Sequence, residues 1–226
     1  SSLLEVTGGL EYLKKELRKI DLDGYELSLA PCQSGHISSH RFSVQDSDSE
    51  KRVFQFESIA DKVKGSFLKD GIKNNIISIY QSLYEAEKKV HGSGHVHFEQ
   101  IGEIDSIIDI ASACILIDKL GSPGILYSCI PFGEKVAPAT ALMLKLQNTY
   151  FSKHSFENIT PTGIAIVTTL GKQVDEKTGD SFSVEEVGYG IGSVDANDLQ
   201  NVLRVVVLKK CERYEPKFQY CQKAKL

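Results

Sequence analysis

A chain of 226 residues with 41% hydrophobic content is long enough for one large domain with a sizeable core. Its charged fraction is ordinary for a globular protein, which argues against disorder. The formal net charge of −4, with no sustained basic block, argues against a nucleic-acid partner. Five widely spaced cysteines (Cys32, Cys114, Cys129, Cys211, Cys221) form no CxxC pair and fit a reducing, cytoplasmic setting. The longest apolar run, Ala111 to Ile117, is too short to cross a membrane, and the first residues show no signal-peptide pattern. The first residue is Ser1 rather than methionine, so a preceding segment is expected.

In chain order, Ser1 to Ile20 predicts a pair of amphipathic helices broken at Gly8-Gly9, with Leu10, Leu13, Leu17 and Ile20 on one apolar face. Tyr25 to Ala30 and His40 to Gln45 alternate like strands and are expected to pair antiparallel across a loop containing Pro31 and Gly35. His36 and His40 read as solvated loop histidines, since nothing acidic adjoins them in sequence. Gln45 to Lys51 is polar and turn-forming, and marks a candidate internal boundary.

Two helices follow from Ser58 to Val90, with Ile59, Val63, Phe67 and Leu68 on the first apolar face and an interruption at Gly71. Beyond the focal segment His91 to Lys119, Ile125 to Phe132 reads as one buried strand. Pro138 opens a helix, Thr149 to Phe151 suggests a short strand, and Ile164 to Leu170 is an apolar helix. Val202 to Leu208 is the last strand, followed by a tail of uncertain order from Lys209. The expected architecture is mixed α/β (α+β), with helices on a mixed sheet and a more helical first half. Residues 1–208 are expected to form one main domain.

The polar residues concentrate in the focal segment. Asp105, Asp109 and Ser112 fall at i, i+4 and i+7, which stacks them on one face of a nearly all-apolar helix. Two carboxylates one turn apart repel each other. They call for a cation such as Mg²⁺, a basic side chain, a hydrogen-bond network or water. A structural alternative has Asp105 capping the helix and Asp109 held by a neighbour, with Arg41, Arg52 and Arg204 as candidate partners. His95 and His97 share one side of an extended segment, and Glu99 continues that parity. Imidazole with carboxylate suits Ni, Zn, Cu or Fe.

Thr160-Pro161-Thr162-Gly163 has the composition of a helix start that favours phosphate, or simply of a well-capped core helix. Gly188-Tyr189-Gly190-Ile191-Gly192 is compatible with a phosphate cradle or a bulged hairpin but is no dinucleotide fingerprint. Arg204 reads equally as an anion ligand or a surface ion-pair partner.

Several phrases together carry a resemblance. VHFEQIGEIDSIIDI (Val96 to Ile110), APAT (Ala137 to Thr140), TPTG (Thr160 to Gly163), GYGIG and NVLR (Asn201 to Arg204) occur in this order. The set resembles the nickel-insertion proteins of nickel-pincer nucleotide cofactor biosynthesis, the LarC-type proteins that mature lactate racemase. AEKKVHG and DGYELSL upstream agree.

The resemblance implies a lyase-class insertase that places nickel into a pyridinium bis-thiocarboxylate mononucleotide with CTP hydrolysis. Mg or Mn would accompany the CTP, a separate C-terminal region would bind it, and a homo-oligomer is compatible. On this reading Asp105 and Asp109 are the catalytic candidates. His97, His95 and Glu99 are the metal candidates, and Thr160, Thr162, Gly163 and Arg204 the cofactor contacts.

The chain departs from the family pattern where HFHE becomes His97-Phe98-Glu99-Gln100 and where a His-Gly element is absent before the APAT segment. A GISGDM-type signature and the CTP-binding region are not among these residues. These departures leave a non-catalytic nucleotide- or partner-binding relative as the alternative.

Overall fold

The computed structural model describes residues 1–47, 52–91, 98, 101–132, 136–146, 151–153, 159–174, 181–192 and 201–211. The first helices are α1 (Ser2–Thr7) and α2 (Leu10–Leu17). They part at Gly8, whose φ of 55° is the left-handed conformation that closes a helix at little cost to glycine. After them come α3 (Phe56–Gly65), α4 (Asp70–His91) and α5 (Ile104–Lys119).

Helix α4 is long because Ile72, Ile76, Ile79, Tyr80, Leu83 and Ala86 keep a helical period for its full length, and all six are buried. Asp70 in its first turn and Lys88, Lys89 and His91 in its last suit the helix dipole. In α5 the side chains of Ile107, Ile108, Ile110 and Ile115 are each no more than 1% exposed. Each such burial stabilises by roughly 1.5–3 kcal/mol, so this helix is the centre of the fold. It packs against α1, α2, α4 and, further along the chain, α7 (Pro161–Leu170).

The main sheet is mixed. Strands β1 (Tyr25–Ser34) and β2 (Ile37–Asp46) form an antiparallel hairpin. Its turn is only Gly35-His36, with Gly35 at a φ of 57°. The strands therefore run through Pro31 and His40, where a broad loop is expected from sequence. Pro31 is tolerated because β1 is an edge strand and loses no ladder bond toward solvent.

In the second half of the chain, β3 (Ile125–Tyr127), β4 (Ile130–Phe132), α6 (Pro138–Leu146), β5 (Phe151–Lys153) and β6 (Gly171–Gln173) form a small parallel region. There β3 pairs with β6 and β4 with β5. Strands β7 (Phe182–Ile191) and β8 (Val202–Lys210) complete the four-stranded sheet in the order β1-β2-β7-β8. The α/β class read from the sequence is thus the observed one.

Four local expectations are corrected. Phe67 is 87% exposed, not core, because α3 has already ended and Ser66 turns the chain by bonding the Val63 carbonyl at 2.7 Å. Gly71 lies inside the first turn of α4, so the interruption is at residues 66–69. The 125–132 run is two short strands with different partners, and Leu126 is half exposed. The chain changes partner at Ser128-Cys129. Finally, β8 extends to Lys210, so Lys209 belongs to the sheet rather than to a tail.

Candidate functional site

Asp105 and Asp109 stand one turn apart on α5, and both side chains reach solvent, although most of the helix is buried. Asp105 does not cap the helix. Glu103 occupies the N-cap position, and the Asp105 carboxylate instead accepts the Ser106 N–H at 2.6 Å. Asp109 is open on one side yet crowded by protein on the others. Burial pushes its carboxyl up to about 6, the neighbouring Asp105 adds to the push, and the Ser1 amino group opposes it in part.

Among the described residues neither carboxylate has an ion pair, and the three candidate arginines are otherwise placed. Arg52 binds Asp46 at 2.7 Å and the carbonyls of Asp23 and Gly24. Arg41 leaves its Nε buried without a partner, and Arg204 is exposed on β8. Ser112, the third residue of the stripe, is buried, with its hydroxyl also unpartnered. A carboxylate with a raised pKa and no side-chain counter-cation, beside a second carboxylate, is a mark of a functional position.

The segment that leads into α5 is held from behind. Phe98 is 1% exposed and packs against Tyr80 and Tyr84, with ring centroids at 6.4 and 6.1 Å. Its carbonyl accepts the Gly102 N–H at 2.7 Å, and the Gly102 carbonyl accepts the Phe54 N–H at 2.8 Å. A Cβ on Gly102 would meet the Phe54 carbonyl oxygen at 2.2 Å, so this glycine is needed for close backbone approach.

His95, His97 and Glu99, the metal candidates, lie outside the described residues. Among the described residues no group of three or more His, Cys, Asp or Glu is placed to hold a metal ion. Asp105 and Asp109 can therefore supply two oxygen donors, and a full coordination shell needs further ligands.

At α7 the Thr160 hydroxyl accepts the Gly163 N–H at 3.1 Å and lies 3.1 Å from the Thr162 hydroxyl. Pro161 has no N–H, and the Ile164 N–H bonds the Thr160 carbonyl. The helix start is thus largely self-satisfied, which is the geometry of a well-capped core helix. Helix α7 packs on α4, α5 and α6, whereas β8, which carries Arg204, packs on β7 and α1. The cofactor candidates accordingly sit in two packing layers.

The glycine-rich stretch serves packing. A Cβ at Gly188 would meet the Ser2 carbonyl at 2.5 Å, and one at Gly190 would meet the Ser2 nitrogen at 2.6 Å. These glycines let α1 lie directly on β7. At Gly192 the obstacle is the Asn201 amide. The bulge in β7 falls at Val184/Glu186, away from the glycines.

Sequence reasoning missed the network this contact creates. Glu5 of α1 accepts the Tyr189 N–H at 2.6 Å and the Ser39 hydroxyl at 2.7 Å, with His40 Nδ1 at 3.3 Å. His40 is therefore a strand residue with an acidic partner, not a loop histidine. Its partner lies 35 positions away in sequence, which no local pattern reveals. Burial alone would raise the Glu5 pKa, but the bonds from Tyr189, Ser39 and His40 outweigh it and hold the carboxyl below the usual glutamate value. Glu5 and His40 also line a shallow cleft of about 450 Å³ together with Cys32 and Ser38.

A family model described as "Nickel insertion protein" matches residues 1–224 of the chain. A provisionally named nickel insertion protein of Geotalea daltonii is 35% identical over 94% of the chain and 57% of its own length. A similarly named protein of Pelobacter propionicus is 34% identical over 90% of the chain and 55% of its own length. The pyridinium-3,5-bisthiocarboxylic acid mononucleotide nickel insertion protein of Clostridium kluyveri is 31% identical over 91% of the chain and 57% of its own length. The chain spans a little over half the length of these relatives. No solved structure matches it. The chain belongs to the nickel insertion protein family.

Proposed function

We propose that this chain is the metal-handling part of an enzyme that inserts nickel into a pyridinium bis-thiocarboxylate mononucleotide, using CTP with Mg or Mn. The observation that carries the reading is the Asp105/Asp109 pair. Two carboxylates share one face of the central helix, open to solvent and without a side-chain counter-cation among the described residues. Nickel is the substrate that answers this charge, with His97, and then His95 and Glu99, as the remaining proposed ligands.

Asp109 has a second use in the same chemistry. A carboxylate beside the incoming nickel is placed to take the proton that must leave the ring carbon on metallation. Thr160, Thr162 and Gly163 are the proposed contacts to the mononucleotide, and Arg204 is a separate anion contact. Because α7 is already capped, its contribution rests on the Thr160 and Thr162 hydroxyls more than on free amides.

The proposed setting is cytoplasmic and the reaction lyase-class, upstream of a nickel-dependent racemase such as lactate racemase. Among the described residues the cysteines are free, and no helix is long and apolar enough to cross a membrane.

The test supplies the chain, joined to the C-terminal region proposed to bind CTP, with nickel, the pyridinium bis-thiocarboxylate mononucleotide and CTP, and follows nickel incorporation by mass. The expected outcome is incorporation that depends on CTP and is abolished in Asp105→Asn/Asp109→Asn. Nickel binding without incorporation would point to a non-catalytic relative, and no nickel binding would overturn the reading.

A further inference from the structure

Tyr80 is fully buried on α4, and its hydroxyl donates to the Ile101 carbonyl at 3.3 Å. This carbonyl belongs to the turn that precedes α5, three residues before the helix begins. The same ring packs on Phe98, whose carbonyl accepts the Gly102 N–H. The turn is closed on its remaining sides by Phe98 O···H–N Gly102, by Phe54 N–H···O Gly102, and by a bridge between Val53 and Glu103. Both Asp105 and Asp109 lie near enough to act electrostatically on the Tyr80 hydroxyl. One side chain therefore contacts both Phe98 and the Ile101 carbonyl and borders the carboxylate face.

We propose that Tyr80 is a positioning residue that fixes this turn, and with it the start of α5, so that Asp105 and Asp109 are held in the geometry that receives nickel. The claim rests on the nickel-handling reading above. Tyr80 contacts no metal in this account and acts through the Ile101 carbonyl. The chemistry resembles an outer-shell contact, whose loss typically weakens metal binding about 10–100-fold.

Tyr84 supplies an internal control. Its ring stacks on Phe56 at 5.1 Å and packs on Phe98, but its hydroxyl has no hydrogen-bond partner among the described residues.

The experiment compares the wild-type chain with Tyr80→Phe and Tyr84→Phe, using nickel titration calorimetry and amide hydrogen exchange of the metal-free protein. Tyr80→Phe is expected to weaken nickel binding about tenfold and to speed exchange at the Gly102 and Phe54 amides. Tyr84→Phe is expected to do neither. Wild-type affinity and protection in Tyr80→Phe would overturn the proposal, as would faster exchange with unchanged affinity, which would make the contact purely structural. Equal losses in both variants would also overturn it, since the stack rather than the hydroxyl would then be responsible. If the wild type binds no nickel, the functional reading fails, and retained protection in Tyr80→Phe then overturns the positioning claim separately.

Discussion

Two acidic centres in this molecule are built in opposite ways. At the junction of α1, β2 and β7, the Glu5 carboxylate is met by a backbone N–H, a serine hydroxyl and a histidine ring. On α5, Asp105 and Asp109 face each other's charge with no side-chain cation among the described residues to offset it, and the Ser1 amino group opposes only part of the push on Asp109. A fold that wanted only stability would have treated both alike. The contrast separates a carboxylate that holds the structure together from a pair that the structure tolerates at a cost, which is the pattern expected where function sets the side chain.

The largest expected effects come from the close approaches that frame the two centres. Gly102→Ala puts a Cβ against the Phe54 carbonyl, and Gly190→Ala puts one against the start of α1. In each case a backbone atom is among the obstacles, so the chain must shift. Each variant should lose about 2–4 kcal/mol in denaturant unfolding. Loss at both positions with nickel binding retained only in Gly190→Ala would sharpen the division between the centres.

Glu5→Gln comes next, with an expected loss of about 1–2 kcal/mol at pH 7, because it replaces a fully bonded carboxylate. Its folded pKa is depressed, so the stabilisation is present above the ordinary glutamate value of 4.5 and is lost as pH falls through the folded value. The difference between wild type and Glu5→Gln should therefore shrink in acid.

Asp109→Asn should do the reverse. The folded pKa of Asp109 is raised from 3.8 to about 6, so wild type is favoured below pH 4 and loses that advantage as pH rises through 6. Above pH 7 the asparagine variant should be the more stable, by about 1 kcal/mol once solvent screening of this exposed group is allowed for. A destabilisation at pH 7 to 8 would mean that Asp109 has a partner after all. Thr160→Ala is the smallest, about 1 kcal/mol from the lost helix cap, with the effect confined to stability if the hydroxyl is only a cap.

Much of the fold was legible because it rests on local patterns. The Gly8-Gly9 break, the periodic face of α4, the largely apolar α5 and the Thr160 cap each follow from residues within a few turns of one another. The first half of β7 was not legible, since Phe182 to Val187 is exposed throughout and shows no buried alternation. The Glu5 network was hidden for a different reason, as Tyr189 lies 184 residues from Glu5.

The glycines misled through their ambiguity. A cluster that makes room for a helix has the same composition as one that cradles a phosphate. Asp105 and Asp109 were legible as a shared face, but their exposure and the tuning of Asp109 depend on which parts of α4, α5 and the α1 junction surround them. His95, His97 and Glu99 fall outside the described residues and contribute to the account as ligands proposed from sequence alone.

The most direct test of the central claim is a nickel titration by calorimetry at pH 7.5, with the wild-type chain beside Asp105→Asn/Asp109→Asn. The account predicts saturable binding by the wild type and a loss of at least a hundredfold in the double variant, with its fold retained. Equal affinity in the two proteins would contradict the claim that this carboxylate face receives the metal.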